Sequence, residues 1–162
     1  MKPIEEYHFK KFDKSQRSTF AYWFYHWKAF NLTAMSLGAW KFKYLFHDFE
    51  KPWLRLFLPY EKVQRFHRKH SRHHLEYKHA PMYISNTLWA KTYNEDGTEC
   101  YEGKDFDWEA MVIDWECSRH TKIASPRTAL EEIEWKYDRY ELSKYERDAL
   151  VFTAKTILGL TK

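Results

Sequence analysis

At 162 residues and a formal charge of +4, the chain has the length of one ordinary domain and a basic balance too modest to mark a dedicated nucleic-acid binder. Aromatic residues make up 20% of it against only four Gly and five Pro, which argues against disorder and favours helices around a core of large, stiff side chains. Cys100 and Cys117 form neither a metal or redox motif nor a disulfide framework, and His26, Lys28, Lys41 and Lys43 interrupt the aromatic stretch from Phe20 to Phe46 before it reaches membrane-spanning length. No signal-peptide core opens the sequence, so a cytoplasmic protein with no membrane partner is expected.

Residues 1–17 are mixed and charged and suggest an N-terminal arm. Ser18 is a candidate N-cap for a first helix, in which Tyr22, Trp23, His26, Trp27, Phe30, Thr33, Ala34 and Leu37 recur at three- and four-residue spacing up to Gly38. His26 lies on the apolar face. A short second helix is predicted over 39–49, ending in His47-Asp48, and a third from Pro52 towards Ser71, because proline disfavours helix at Lys51 and suits a first turn.

The helical pattern breaks over 80–107. There Asn94-Glu95-Asp96-Gly97 separates two short aromatic runs and predicts a small β-hairpin or an irregular insertion. Asp105 or Asp107 then caps a fourth helix in which Ala110, Met111, Asp114 and Ser118 share a face. Ser125-Pro126 is read as the start of the next helix, and Ser143 with Glu146 as a capping box for the last. The expected fold is all-α, one domain over 1–162 of about six helices with one insertion.

An adjacent His-Asp pair offers a neutral imidazole and a carboxylate, ligands suited to a borderline divalent metal. By itself the pair is weak; Asp114 alone reads as a helix-surface carboxylate, and His26 alone as a hydrogen-bonded core histidine. Three helices, however, each offer a ligand: His26, then His47 and Asp48, then Asp114. This H, HD, D order, with His47-Asp48-Phe49-Glu50-Lys51, the histidine-dense run from His67 to Glu76 and Ile113-Asp114-Trp115, resembles the HD superfamily of metal-dependent phosphohydrolases, and in particular a small branch of it without an assigned reaction.

The resemblance implies that His26, His47, Asp48 and Asp114 hold a first divalent transition metal (Mn, Fe, Co, Ni or Zn). His67 with His73 or His74 would add a second ion, bridged by Asp48. It implies a hydrolase in which metal-activated water attacks a phosphomonoester or phosphodiester, a nucleotide or short oligonucleotide. Asp48 and Lys51 would serve catalysis, and Lys51, Arg68, Lys69, Arg72 and Arg119 would bind the anion. Glu76 is a candidate to orient a ligand histidine. Lys51 stands where some related nucleotidases carry Glu. An HD-fold di-iron oxygenase, which also carries Lys after the His-Asp pair, is the alternative enzyme, and a non-catalytic nucleotide- or protein-binding module the alternative outside catalysis.

Overall fold

The computed structural model describes residues 4–76, 90–93, 99–102, 106–124 and 126–161. Its architecture is an all-α bundle of six helices: α1 (Phe20–Ser36), α2 (Glu50–Leu54), α3 (Tyr60–His70), α4 (Trp108–Thr121), α5 (Ala129–Tyr137) and α6 (Lys144–Phe152). Between α3 and α4, β1 (Ala90–Tyr93) and β2 (Glu99–Glu102) pair antiparallel with Tyr93 opposite Glu99, the hairpin expected around Asn94-Glu95-Asp96-Gly97; the turn itself and most of the remaining insertion lie outside the described residues.

Several boundaries differ from the sequence reading, each for a local reason. The hydroxyl of Thr19, not Ser18, caps α1 by accepting from Tyr22 N. The predicted second helix is a 3₁₀ turn, Phe42–Phe46, and the predicted third is divided. Turns follow Leu54 as far as Leu58, whose N donates to Leu54 O at 2.9 Å; Pro59 has no N–H to continue them and becomes the N-cap of α3. Helix α5 begins later than Ser125-Pro126 suggested, because Thr128 and Glu131 form a reciprocal capping box; Ser125 itself is outside the described residues. The box of Ser143 and Glu146 at α6 is present as expected, and α6 runs on into a π turn, Thr153–Ile157.

The core is built from the inner faces of α1, α4, α5 and α6, with Phe30, Met111, Ile113, Cys117, Ile133 and Leu150 fully buried. The N-terminal arm is tied down: Phe12 N donates to Thr121 O at 2.9 Å and Ile123 N to Phe12 O at 3.1 Å, while the Phe12 ring meets Tyr22 edge-on at 5.6 Å. Helices α1 and α4 lie against one another, which brings His26 of one to Asp114 of the other. No helix among the described residues is long and apolar enough to cross a membrane.

Candidate metal centre

One stripe of α1 fixes the turn that carries His47 and Asp48. Trp23, Trp27 and Asn31, spaced four apart and therefore stacked on one face, each donate to a backbone carbonyl: Trp23 Nε1 to Asp48 O at 2.9 Å, Trp27 Nε1 to Leu45 O at 2.9 Å, and Asn31 Nδ2 to Tyr44 O at 3.1 Å. Two of these carbonyls also accept a backbone N–H, Tyr44 O from His47 N at 3.1 Å and Asp48 O from Lys51 N at 3.0 Å, so the side-chain donors use their second lone pairs. The turn is sharp enough to place Asp48 at φ 58°, a left-handed conformation that Asp tolerates better than most residues. The His47 ring then lies flat on Phe30, centroids 3.5 Å apart, with its far edge turned towards the carboxylates.

The sequence-predicted ligands converge here. His26 Nε2 is 2.9 Å from Asp114 Oδ1 and 3.8 Å from Asp48 Oδ2. His47 Nε2 is 3.7 Å from Asp48 Oδ1 and 3.8 Å from Asp114 Oδ1. On the other side of Asp48, Oδ1 is 3.0 Å from His67 Nε2 and 3.6 Å from His73 Nε2, and His74 Nε2 is 2.7 Å from His67 Nε2. The ligand atoms form overlapping groups: His26, His47 and Asp114; His47, Asp48 and His73; His67, His73 and His74; and Asp48, Glu50 and His67. Asp48 sits where the two halves meet.

Three of these atoms, His47 Nε2, His73 Nε2 and Asp48 Oδ1, are buried without a hydrogen-bond partner that meets geometric criteria among the described residues. Leaving buried polar atoms unpaired costs about 1–3 kcal/mol each, and these three belong to one group. Divalent cations held in the overlapping groups would satisfy all three. Ligands about 2.1 Å from a shared ion lie roughly 3.0–3.5 Å from each other, slightly closer than the 3.6–3.8 Å spacings found here, so small side-chain shifts suffice.

The protonation states suit a cation. Burial depresses the pKa of His26, takes that of His47 down to about 4, and holds His74 well below the usual range together with the nearby His73 and His67. Burial works against ionising Asp48 and Asp114. Yet the charges of His47, Lys51 and His67 keep Asp48 well below the ordinary carboxyl range, and hydrogen bonding from His26 does the same for Asp114. Neutral imidazoles and ionised carboxylates are the forms that bind metal. His67 differs: burial opposes its charge, but Asp48 and Glu50 raise its pKa above the usual value, so the metal-free ring retains a proton that an ion would displace.

The second nitrogen of His67 contacts Glu50 Oε1 and is 2.9 Å from Ser71 Oγ. Glu50 therefore takes the orienting role expected of Glu76, whose carboxylate meets Arg68 at 3.4 Å. Its position three residues after His47, in the turn fixed by the His-Asp pair, is the signal that the sequence reading passed over. Lys51 Nζ contacts Asp48 Oδ2, so it is attached to the centre as expected. The remaining predicted cations divide. Arg68 and Lys69 line a broad outer groove, Arg72 is on the surface where its carbonyl accepts from Asp107 N, and Arg119 Nε is held at 2.6 Å by Glu116.

Two cavities open directly on the centre. One, about 190 Å³, has mainly apolar walls including Phe20, Trp23, Leu56 and Val63 and reaches His26, Asp48 and Lys51. The other, about 300 Å³, is polar and reaches His74 and Asp114 between Arg17, Arg68, Lys122, Arg127 and Lys136, with Glu76 and Glu132 also in its wall. Arg127 and Lys136 contact Glu132, at 3.2 Å and 3.9 Å. Among the described residues Lys122 donates to a neutral partner, Ser118 Oγ, at 2.6 Å and forms no ion pair, and Arg17 Nε is buried with no hydrogen-bond partner. Arg17 and Lys122 were not among the sequence candidates, since nothing in their local sequence distinguishes them. Comparison of the chain with protein-family models, with curated proteins and with solved structures gives no match.

Proposed function

We propose that the chain is a metal-dependent phosphohydrolase of the HD type, acting on a phosphomonoester or phosphodiester such as a nucleotide or short oligonucleotide. The observation that carries the anionic substrate is the polar cavity at His74 and Asp114, in which Arg17 and Lys122 present cationic donors that pair with no carboxylate among the described residues. His26, His47, Asp48 and Asp114 would hold one divalent transition metal, and His67, His73 and His74 a second, with Asp48 shared. When bound, such ions lower the pKa of coordinated water and polarise a phosphoryl oxygen.

The protein's own groups supply the rest. Arg17 and Lys122 bind and orient the phosphoryl group, and the Lys51 ammonium holds Asp48 ionised. Glu50 fixes the His67 ring, while Phe30 and the apolar cavity keep one side of the centre dry. The buried free thiol of Cys117 fits the cytoplasm as the working compartment. Phosphate release should be measured across nucleotides and a simple diester for the wild type and Asp48→Asn, each with metal supplied. Loss of at least about a thousandfold in Asp48→Asn is expected, as when a group acting on the reacting charge is removed; equal activity in both proteins would overturn the assignment.

A second reading rests on a different observation. Five histidines around Asp48 and Asp114, Lys51 on the shared carboxylate and an apolar cavity at the same atoms also suit a di-iron oxygenase. Two bound iron ions, oxygen consumption and no phosphate release from any ester would favour it.

A further inference from the structure

Ten of the fifteen exposed large hydrophobic side chains among the described residues fall within residues 14–72. The same stretch carries twelve Lys and Arg against three Asp and Glu, whereas the rest of the chain has fifteen against twenty. The rings form a connected band: Phe42 to Phe46 at 5.8 Å, Phe46 to Phe49 at 6.2 Å and Phe49 to Trp53 at 6.3 Å. In the turn that follows α2, Leu56 is 70% and Phe57 82% exposed. Beside that turn the outer groove, about 980 Å³, is lined by Leu56, Phe57 and Leu58 together with Lys14, Arg55, Arg65, Arg68 and Lys69; the acidic residues in its wall are Glu61 and Glu76.

Large apolar side chains exposed together in this way mark an interaction surface. Apolar side chains on an exposed turn, rimmed by cations, match the two terms that hold a protein at a bilayer surface: insertion of apolar groups among the acyl chains and attraction to anionic headgroups. Single-stranded nucleic acid would also meet aromatic rings and cations, but a base stacks on a flat face, and Leu56 in the turn offers none. We propose that this face docks on an anionic lipid bilayer, with Trp53, Leu56 and Phe57 inserted and the headgroups seated against Arg55 and Arg65. Lying on one leaflet requires no spanning helix. The proposal is independent of the reaction at the metal centre, although the turn at Leu56 also borders its apolar cavity, so docking would place that cavity close to the bilayer.

Co-sedimentation of the full chain with vesicles tests this, using phosphatidylcholine alone and phosphatidylcholine mixed with phosphatidylglycerol. Binding to the mixed vesicles and not to the neutral ones, weakened by salt, is expected. Leu56→Ser with Phe57→Ser should reduce it by roughly 10- to 100-fold, and Arg55→Glu with Arg65→Glu by at least about tenfold, with circular dichroism confirming that both variants are folded. Failure of the wild type to sediment, or equal binding by the Leu56→Ser, Phe57→Ser protein, would overturn the proposal. So would a dimer that those two substitutions dissociate, or single-stranded RNA binding that they abolish in a protein without vesicle binding.

Discussion

Trp23 Nε1 donates across 25 positions to the carbonyl of Asp48, and the residue it holds is in the left-handed region at φ 58°. A side chain of α1 thus restrains the backbone from which the shared ligand projects. Trp23→Phe keeps an aromatic ring against Trp27 but removes the donor. It should cost about 1 kcal/mol of stability in urea denaturation and also weaken metal binding, because the turn no longer aims Asp48. Unchanged affinity in a metal titration would show that Trp27 and Asn31 hold the turn without it.

Glu50 should matter more to metal than its sequence context suggests. Glu50→Gln retains shape and a hydrogen-bonding oxygen but withdraws the charge facing His67 Nδ1, and a change of this kind behind a ligand typically costs 10- to 100-fold in affinity. Glu76→Gln, at a carboxylate that meets Arg68 among the described residues, should leave affinity within about twofold. Competition with a fluorescent chelator measures both, and equal losses would return Glu76 to the orienting role.

Much of this centre was legible because its chemistry is local in sequence. His47-Asp48, the His67 to His74 run and the apolar-face positions of His26 and Asp114 are patterns of residue type and spacing, and so are the capping box at Ser143 and the two runs that pair as β1 and β2. What escaped depends on contacts distant in the chain. Nothing near Arg17 shows that its Nε is buried without a partner, and nothing near Arg119 shows that Glu116 takes it up. The break between α2 and α3 was within reach, since Pro59 stands in the middle of the predicted helix. There the apolar periodicity outweighed a strong stop signal.

The clustered ligands predict two ions per chain. Elemental analysis of protein prepared with Mn, Fe or Zn should give two. His73→Ala, which leaves His26, His47 and Asp114 intact, should give one. Because the ions bind only the folded chain, metal at a hundredfold excess over Kd should stabilise it by ~2.7 kcal/mol per independent site. The effect should vanish with chelator, as followed by thermal melting. One ion in both proteins would confine binding to the His26, His47 and Asp114 half.

The metal-free protein should lose stability in mild acid. Burial takes the His47 pKa to about 4, whereas an unfolded imidazole titrates near ~6.5. Between those values the unfolded chain takes up a proton that the folded chain excludes, so stability is present above the upper value and is lost as pH falls, by about 1.4 kcal/mol per pH unit from this residue. His26 and His74, depressed mainly by burial, act in the same direction. His67, raised by Asp48 and Glu50 in spite of its burial, acts oppositely: its contribution is present below the unfolded value and lost as pH rises through its folded one. Urea midpoints of chelator-treated protein should fall steeply below about pH 6.5, and His47→Asn should flatten that fall; a flat wild-type curve would mean the rings are hydrated.

The two cations that the fold, not the sequence, brings to the centre should govern substrate binding. Arg17 and Lys122 line the polar cavity with His74 and Asp114, and among the described residues neither forms an ion pair with a carboxylate. A charge-assisted hydrogen bond contributes about 1.5–3 kcal/mol, so Arg17→Gln or Lys122→Met should each lower kcat/KM for a phosphoester by roughly 10- to 100-fold. Metal content should stay the same, because neither side chain belongs to the ligand groups. Arg119→Gln, whose guanidinium is already engaged by Glu116, should change kcat/KM less than about threefold. Steady-state kinetics on the three variants, with metal content checked in parallel, separates the possibilities. A large loss in Arg119→Gln with none in Arg17→Gln would move the anion site away from the cavity and towards the Glu116 end of α4.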